Sequence, residues 1–245
     1  MSYAPDANEA QIIRSWNTNA GPWARAVQTG SIRSRTLVTD RAIVDAVSSL
    51  HPRRVLDLGC GEGWLARDLA ALGMKVTGVD AVPDLIAEAR RLGHGEFVVQ
   101  DYRAIAAREW RAGPFDAAVC NFSLLGKESV ESLLGAIGSY LAQPGYLVIQ
   151  TLHPLAPCGD HPYEDGWRAG SWSGFGAQFS DPAPWYFRVL QSWFSMLRRS
   201  GFEVTECREP AAPGAKSPSS VIFIGKVLRA GQAGAQPRPS TGEQH

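Results

Sequence analysis

The sequence predicts an α/β protein built on a doubly wound, mostly parallel sheet. Three observations predict it. Val55-Leu56-Asp57-Leu58-Gly59-Cys60-Gly61-Glu62-Gly63 joins an apolar strand to a helix through a glycine turn. Strand-like and helix-like periods then alternate up to residue 152. Two last strands, separated by a Pro/Gly/Ser loop, read as an antiparallel, hairpin-like pair.

In the glycine turn, Val55 to Leu58 have the uninterrupted apolar character of a strand covered on both faces. Gly59, Gly61 and Gly63 remove three Cβ atoms where the chain must turn sharply and let a ligand reach the backbone. A helix follows from Trp64, with Leu65, Leu69 and Leu72 on one face. A glycine loop between strand and helix marks the ligand-binding edge of an open α/β sheet.

The remaining elements can be read in order. Residues 1–39 form a polar lead-in carrying Trp16 and Trp23 around the breaker pair Gly21-Pro22. Thr39 or Asp40 can cap a helix with Ile43, Ala46, Val47 and Leu50 on one face, which Pro52 stops. Strands follow at 54–58 and 75–80. Pro83 opens a helix bearing Leu85, Ala89 and Leu92. Strands come again at 96–100 and 115–120. A helix over Val130, Leu133, Leu134, Ile137, Tyr140 and Leu141 ends at Pro144-Gly145, and a fifth strand spans 146–152. Residues 153–185 then show no period, a length that inside a compact domain signals a functional segment. Tyr163, Trp167, Trp172, Phe175, Phe179 and Trp185, with Tyr186 just beyond, argue against disorder there. Helix spacing resumes at 186–197 and Gly201 closes it. Strands at 202–207 and about 220–228 complete seven, and residues 229–245 read as a disordered Gly/Ala/Pro/Gln tail. The domain proper is thus 40–228.

Composition narrows the function. The 24 basic residues balance 24 acidic ones, so no overall field draws the chain to nucleic acid or an anionic membrane. No stretch approaches the roughly 20 apolar residues of a membrane helix, and Met1 to Asp6 lack the pattern of a secretory signal. Cys60, Cys120, Cys158 and Cys207 show no paired spacing, which suits reduced thiols in a cytoplasmic protein.

Four segments in order carry a family resemblance: Val55 to Gly63, Val76-Thr-Gly-Val-Asp80, Val98-Val-Gln-Asp101-Tyr102 and Phe115-Asp-Ala-Ala-Val-Cys-Asn121-Phe122. Together they resemble a class I S-adenosylmethionine-dependent methyltransferase of the small-molecule type. The resemblance implies a Rossmann-like seven-stranded sheet whose last strand is antiparallel, a helical lid from the lead-in, and S-adenosylmethionine as cofactor. It implies that Asp57 holds the loop and that Gly59, Cys60, Gly61 and Gly63 meet the amino-acid end of the cofactor. Asp80 lies 21 residues past Gly59 at a strand end, where a carboxylate, with Ala81 beside it, can accept the ribose hydroxyls. Asp101 would take the adenine amino group while Tyr102 offers a backbone donor. Asn121 and Phe122 would stand beside the reactive methyl.

Several residues support two readings. Asp80 can grip ribose or cap the helix at 83. Arg35 can pair with the cofactor carboxylate through its fork geometry or remain a surface arginine. Trp16 and Trp23 can be lid or core. Cys60 and Cys120 read as packed side chains. His153, directly after the fifth strand, is the expected general base, since it sits at the ligand-binding edge and titrates near neutral pH; the other reading is a residue that turns the chain before Pro154. His161 and Tyr163 are weaker bases. His153, Cys158, Asp160 and His161 lack metal-ligand spacing, so no metal is expected.

The aromatic insertion is the expected acceptor pocket, with Trp16, Tyr163, Trp167 and Trp172 as substrate contacts, because large flat rings with polar handles suit a ring-bearing small molecule. Asn121-Phe122-Ser123-Leu124 lacks the Pro-Pro box of methyltransferases that act on bases. The expected reaction is in-line transfer of a methyl group to a small-molecule acceptor, with no nucleic-acid or membrane partner. Two alternatives remain: a nicotinamide-dependent oxidoreductase, which Gly63-Trp64 in place of GxGxxG disfavours, and a binding module that transfers nothing.

Overall fold

Five parallel strands from the first two-thirds of the chain form the body of the sheet, and two later strands extend it. The computed structural model describes residues 7–155 and 161–228. The expected tail at 229–245, together with Cys158 and Asp160, lies outside the described residues. The strands are β1 (Arg54–Leu58), β2 (Lys75–Asp80), β3 (Glu96–Val99), β4 (Phe115–Asn121) and β5 (Leu141–Leu152), then β8 (Phe202–Arg208) and β9 (Ser220–Val227). Their order is β3-β2-β1-β4-β5-β9-β8, and β9 runs antiparallel to both its neighbours. The order reverses between β1 and β4, which places a crevice at their carboxyl ends.

Side chains alternate faithfully across the sheet. Leu56, Leu58, Ala118, Cys120, Leu147, Ile149, Val221 and Phe223 face one core. Val55, Val119, Val148, Ile222 and Ile224 face the other. Helices α2 (Asp40–Ser48), α3 (Trp64–Ala71) and α4 (Pro83–Leu92) cover the second face through residues such as Ile43, Val47, Leu65, Leu69 and Ile86. Helices α6 (Glu128–Ile137) and α7 (Leu190–Arg199) cover the first through Leu133, Leu134, Ile137, Trp193 and Leu197. Burial on both faces explains why these strands are apolar throughout.

The lead-in is a helix of 22 residues, α1 (Ala7–Gln28), and it passes straight through Gly21-Pro22. The expected break is corrected: the missing Pro22 N–H removes one helix bond, and packing of Trp16, Ala20 and Trp23 on Val82 and Leu85 holds the rest. The expected cap of α2 is corrected as well. Neither Thr39 nor Asp40 makes a side-chain cap bond, because a π-helical turn over Arg35–Thr39 runs directly into α2 and the Asp40 N–H already bonds to Arg35 O.

Three further boundaries differ from the expectation. Helix α6 stops at Ile137, and Tyr140 sits in a 3-10 turn with its hydroxyl donating to Ile105 O or Trp110 O, 3.1 and 3.2 Å away. A short helix α5 (Tyr102–Ala106) follows β3. In the insertion, β6 (Gly166–Arg168) pairs antiparallel with β7 (Trp185–Phe187), so Tyr186 lies in a strand and α7 begins only at Leu190. The apolar positions 186, 189 and 190 mimic a helix face because a strand end and a helix start happen to adjoin there.

Candidate functional site

The glycine turn is shaped by left-handed backbone. Gly59, Gly61 and Gly63 have φ of +72°, +57° and +81°, a region that costs other residues about 1–2 kcal/mol. A Cβ at Gly59 would overlap Ser123 Cβ and stand 2.8 Å from the Tyr102 hydroxyl. That hydroxyl lies 3.3 Å from Leu58 O, and Ser123 Oγ donates to the same carbonyl at 2.6 Å. Tyr102 thus reaches from the end of β3 under the loop that leaves β1. Its side chain, rather than only its backbone, belongs to the site.

Asp80, at the end of β2, fastens the turn. Its Oδ2 accepts from Gly61 N at 2.9 Å and its Oδ1 from Val82 N at 2.9 Å. It is therefore both a loop brace and a cavity-lining carboxylate, and each oxygen keeps a second lone pair for a ligand hydroxyl. Burial raises its pKa above the ordinary value, against the lowering effect of those N–H bonds. Asp101 lines the same cavity while its side chain caps α5, accepting from Ala104 N at 2.8 Å.

Asp57 lies beneath the turn, 1% exposed, with Oδ2 unpartnered. Burial, then the nearby Asp80 and Glu62 carboxylates, push its pKa from 3.8 to about 8. Between those values the folded chain holds a proton that the unfolded chain releases, so raising the pH favours unfolding. The cofactor-free protein should therefore lose stability progressively from about pH 4 to about pH 8. Asp57→Asn should flatten that part of a melting-temperature profile, and a variant that tracked the wild type in parallel would refute this origin. Burial likewise raises the thiols of Cys60 and Cys120 well above their ordinary values, which makes them packed side chains rather than nucleophiles.

Arg35 is buried, 8% exposed, at the wall of the cavity. Its Nε donates to Asp40 at 3.0 Å, its guanidinium stacks on Trp64 at 4.6 Å, and its two terminal nitrogens have no partner. The surface reading of this arginine is corrected. Trp23 closes over the turn: its Nε1 lies 3.7 Å from where a Gly61 side chain would begin. Trp23 meets Trp16 edge to face at 5.1 Å, and Trp16 meets Trp172 at 5.7 Å. Helix α1 is pinned to the insertion by Asn19, whose Nδ2 donates to Ser180 O at 2.7 Å and whose Oδ1 accepts from Ser180 N at 3.0 Å.

These groups line one cavity of about 1120 Å³, more than the roughly 300–1,000 Å³ of a typical single-ligand pocket. Gly59, Cys60, Gly61, Asp80, Ala81, Asp101, Tyr102, Asn121, Phe122 and Arg35 line it, and so do Trp16 and Trp172. Gly63 and Asp57 sit behind the wall. The bare glycine backbone, the Asp80 carboxylate and the unpartnered guanidinium of Arg35 fit an adenosyl sulfonium with an amino-acid end.

Three expectations fail on geometry. His153 is 1% exposed and outside the cavity wall. Its Nε2 lies 2.7 Å from Glu209 Oε1 and its Nδ1 accepts from Leu155 N at 3.3 Å. Accepting at Nδ1 places the proton on Nε2, so both nitrogens are engaged in holding the turn and neither faces an acceptor. Tyr163 is exposed, accepts from Leu190 N at 3.2 Å and packs on Phe187. Trp167 packs edge to face on Tyr186 at 5.4 Å, within the β6–β7 hairpin. Neither lines the cavity; Phe175 and Trp185 do. Glu62 also lines the cavity; a carboxylate between two loop glycines was its sequence signal.

The sequence model of a family described as "Methyltransferase domain" matches residues 34–207. The ubiquinone biosynthesis O-methyltransferase of Xanthomonas oryzae pv. oryzae is 32% identical over 142 residues, covering 50% of this chain and 59% of that protein. Its counterpart in Xylella fastidiosa is 34% identical over 137 residues, covering 48% and 56%. The chain thus spans less than two-thirds of the length of these curated relatives. Among solved structures, the fold resembles the Burkholderia thailandensis 1,6-didemethyltoxoflavin-N1-methyltransferase with bound S-adenosylhomocysteine, at TM-score 0.65 and 18% identity, covering 93% of both chains. It also resembles magnesium protoporphyrin IX methyltransferase from Synechocystis PCC 6803, at TM-score 0.62 and 19% identity, covering 90% and 99%. The family match overturns the nicotinamide alternative. Sheet order, glycine turn and family match agree: the chain belongs to the class I S-adenosylmethionine-dependent methyltransferases.

Proposed function

We propose that this chain transfers the methyl group of S-adenosylmethionine to a small, ring-bearing acceptor. The observation that carries the reading is the continuity of one cavity, from the glycine turn and Asp80 to the rings of Trp16, Trp172, Phe175 and Trp185. The sulfonium supplies an electrophilic methyl group, so the cofactor carries the difficult chemistry. The chain contributes position and dryness. Asp80 grips ribose, Asp101 and Tyr102 hold the adenine side, and Arg35 pairs with the carboxylate. Asn121 and Phe122 bound the methyl site, and α1 with the aromatic insertion excludes water. Such positioning is worth about 7–11 kcal/mol of barrier lowering.

In this reading residues 1–39 are a lid and 40–228 the catalytic domain, with the insertion at 153–185 as the acceptor wall. The reading also places the chain in the cytoplasm without a nucleic-acid partner. Charge balance supports that, and no helix among the described residues is long and apolar enough to cross a membrane. The O-methyltransferase relatives favour hydroxylated rings as the first acceptors to try.

Labelled S-adenosylmethionine incubated with the protein and a panel of hydroxylated and amino-substituted aromatic compounds should yield a labelled product. Failure with the panel and with a small-molecule cell extract, despite cofactor binding, would leave a binding module instead. Asp80→Ala should weaken S-adenosylhomocysteine binding about 5- to 150-fold by calorimetry, because it removes the ribose acceptor and the Gly61 brace together. Unchanged affinity would refute the Asp80 role.

A further inference from the structure

We propose that Arg188 anchors a carboxylate carried by the ring-bearing acceptor. The proposal deepens the methyl-transfer reading above and rests on it. It narrows the acceptor class and names the residue that sets it.

Arg188 follows β7 directly and lines the cavity together with Trp185, Tyr186 and Trp193. Strand β7 is fixed on the acceptor side, because Tyr186 N donates at 2.8 Å to the carbonyl of Leu125, four residues past Asn121. Arg188 is 3% exposed. Its Nη1 donates to Gly126 O at 3.0 Å and its Nη2 to Lys127 O at 3.1 Å. The guanidinium carbon lies 4.7 Å from the centre of the Tyr186 ring and 5.4 Å from that of Trp193. Nε has no hydrogen-bond partner among the described residues, yet it is not sealed from solvent.

These partners hold the side chain without neutralising it. Carbonyls and rings carry no net charge. Glu131 Oε1, the one carboxylate oxygen within 4.0 Å among the described residues, stands beyond hydrogen-bond reach on a half-exposed side chain. Glu9, which also lines the cavity, spends its Oε1 on the N–H groups of Lys127 and Ser129, at 2.8 and 3.3 Å. Burial lowers the Arg188 pKa from its ordinary value, against the raising effect of Glu131, Tyr186, Asp165 and Glu9, so the positive charge is costly where it sits. An arriving carboxylate offsets that cost, and the Nε–H offers it a charge-assisted bond. A cationic acceptor would increase the cost and a neutral one would leave it in place. The flanking rings suit the planar remainder of such a ligand.

Calorimetry on the full chain, first titrated with S-adenosylhomocysteine and then with matched ring compounds at neutral pH, tests this. The pairs are 4-hydroxybenzoate and 4-hydroxybenzamide, anthranilate and 2-aminobenzamide, and 2-naphthoate and 2-naphthamide. In at least one pair the carboxylate should bind about 10-fold or more tightly than its amide. Arg188→Gln should bring that ratio to within about twofold of unity and leave S-adenosylhomocysteine affinity within about twofold of the wild type. Arg188→Lys, which keeps the charge but loses the planar fork, should give an intermediate ratio. A chain that does not bind S-adenosylhomocysteine loses the cofactor reading and this proposal together. One that binds it but favours no carboxylate over its amide overturns the Arg188 role alone. So does an Arg188→Gln protein that keeps the wild-type ratio, even if both members of a pair bind more weakly, since that marks a purely structural tie to Gly126 and Lys127. Should Arg188→Gln fail to fold, an unchanged ratio in Arg188→Lys overturns the assignment.

Discussion

A Gly59→Ala protein is expected to melt roughly 5–20 °C below the wild type and to bind S-adenosylhomocysteine far more weakly. Two costs combine. Alanine at φ +72° costs about 1–2 kcal/mol. Its Cβ would overlap Ser123 and crowd Tyr102, an overpacking of about 1–3 kcal/mol. Together they make roughly 2–5 kcal/mol, and for a domain of this size each kcal/mol lowers the midpoint by about 2–4 °C. Relief of the clash must move Ser123, Tyr102 or the loop itself, and all three line the proposed cofactor pocket. Gly73→Ala is the matched control: φ is +89°, but nothing lies within 4 Å of the added carbon. It should show only the conformational cost and keep cofactor affinity. Equal affinity in both variants and the wild type would show that the turn does not hold the ligand.

Phe223→Ala is expected to destabilise by about 3–5 kcal/mol, the cost of emptying a large buried aromatic site. Phe223 lies fully buried on β9, stacked on Trp193 at 5.9 Å and edge to face with Phe194 at 5.3 Å. Strand β9 is the antiparallel wedge between β5 and β8, so this side chain fastens the sheet extension to α7. Denaturant titration should show the loss, while S-adenosylhomocysteine affinity at low temperature should stay near wild type, because the glycine turn and Asp80 stand at the ends of β1 and β2, with β4 and β5 between them and β9. A loss under 1 kcal/mol would mean that the site collapses to fill the void. Together, Gly59→Ala and Phe223→Ala separate damage to the pocket from damage to its frame.

Much of this architecture is legible from residue order because its signals are local. Val55–Leu58, Lys75–Asp80 and Phe115–Asn121 are apolar strands followed by turn residues, and each lies where the period indicated. The insertion was less legible. Trp167 and Trp185 belong to a hairpin of three-residue strands, too short to show a period of two, so their direction could not be read. His153 shows the same gap for chemistry. Its place after β5 suggests a base, but Glu209, 56 residues on, turns its ring into a structural link.

The chain's own order of residues determined the strand and helix sequence, the glycine turn, the acidic residue closing β2 and hence the family. These follow from periodicity, turn chemistry and spacing, which act over a few neighbours. Only the tertiary structure decided which aromatics face the cavity, that His153 is turned to Glu209, and that Arg35 is buried against Trp64 with its terminal nitrogens unpartnered. Those outcomes depend on contacts between segments distant in sequence, where packing direction and burial, rather than residue type, settle what a side chain can do.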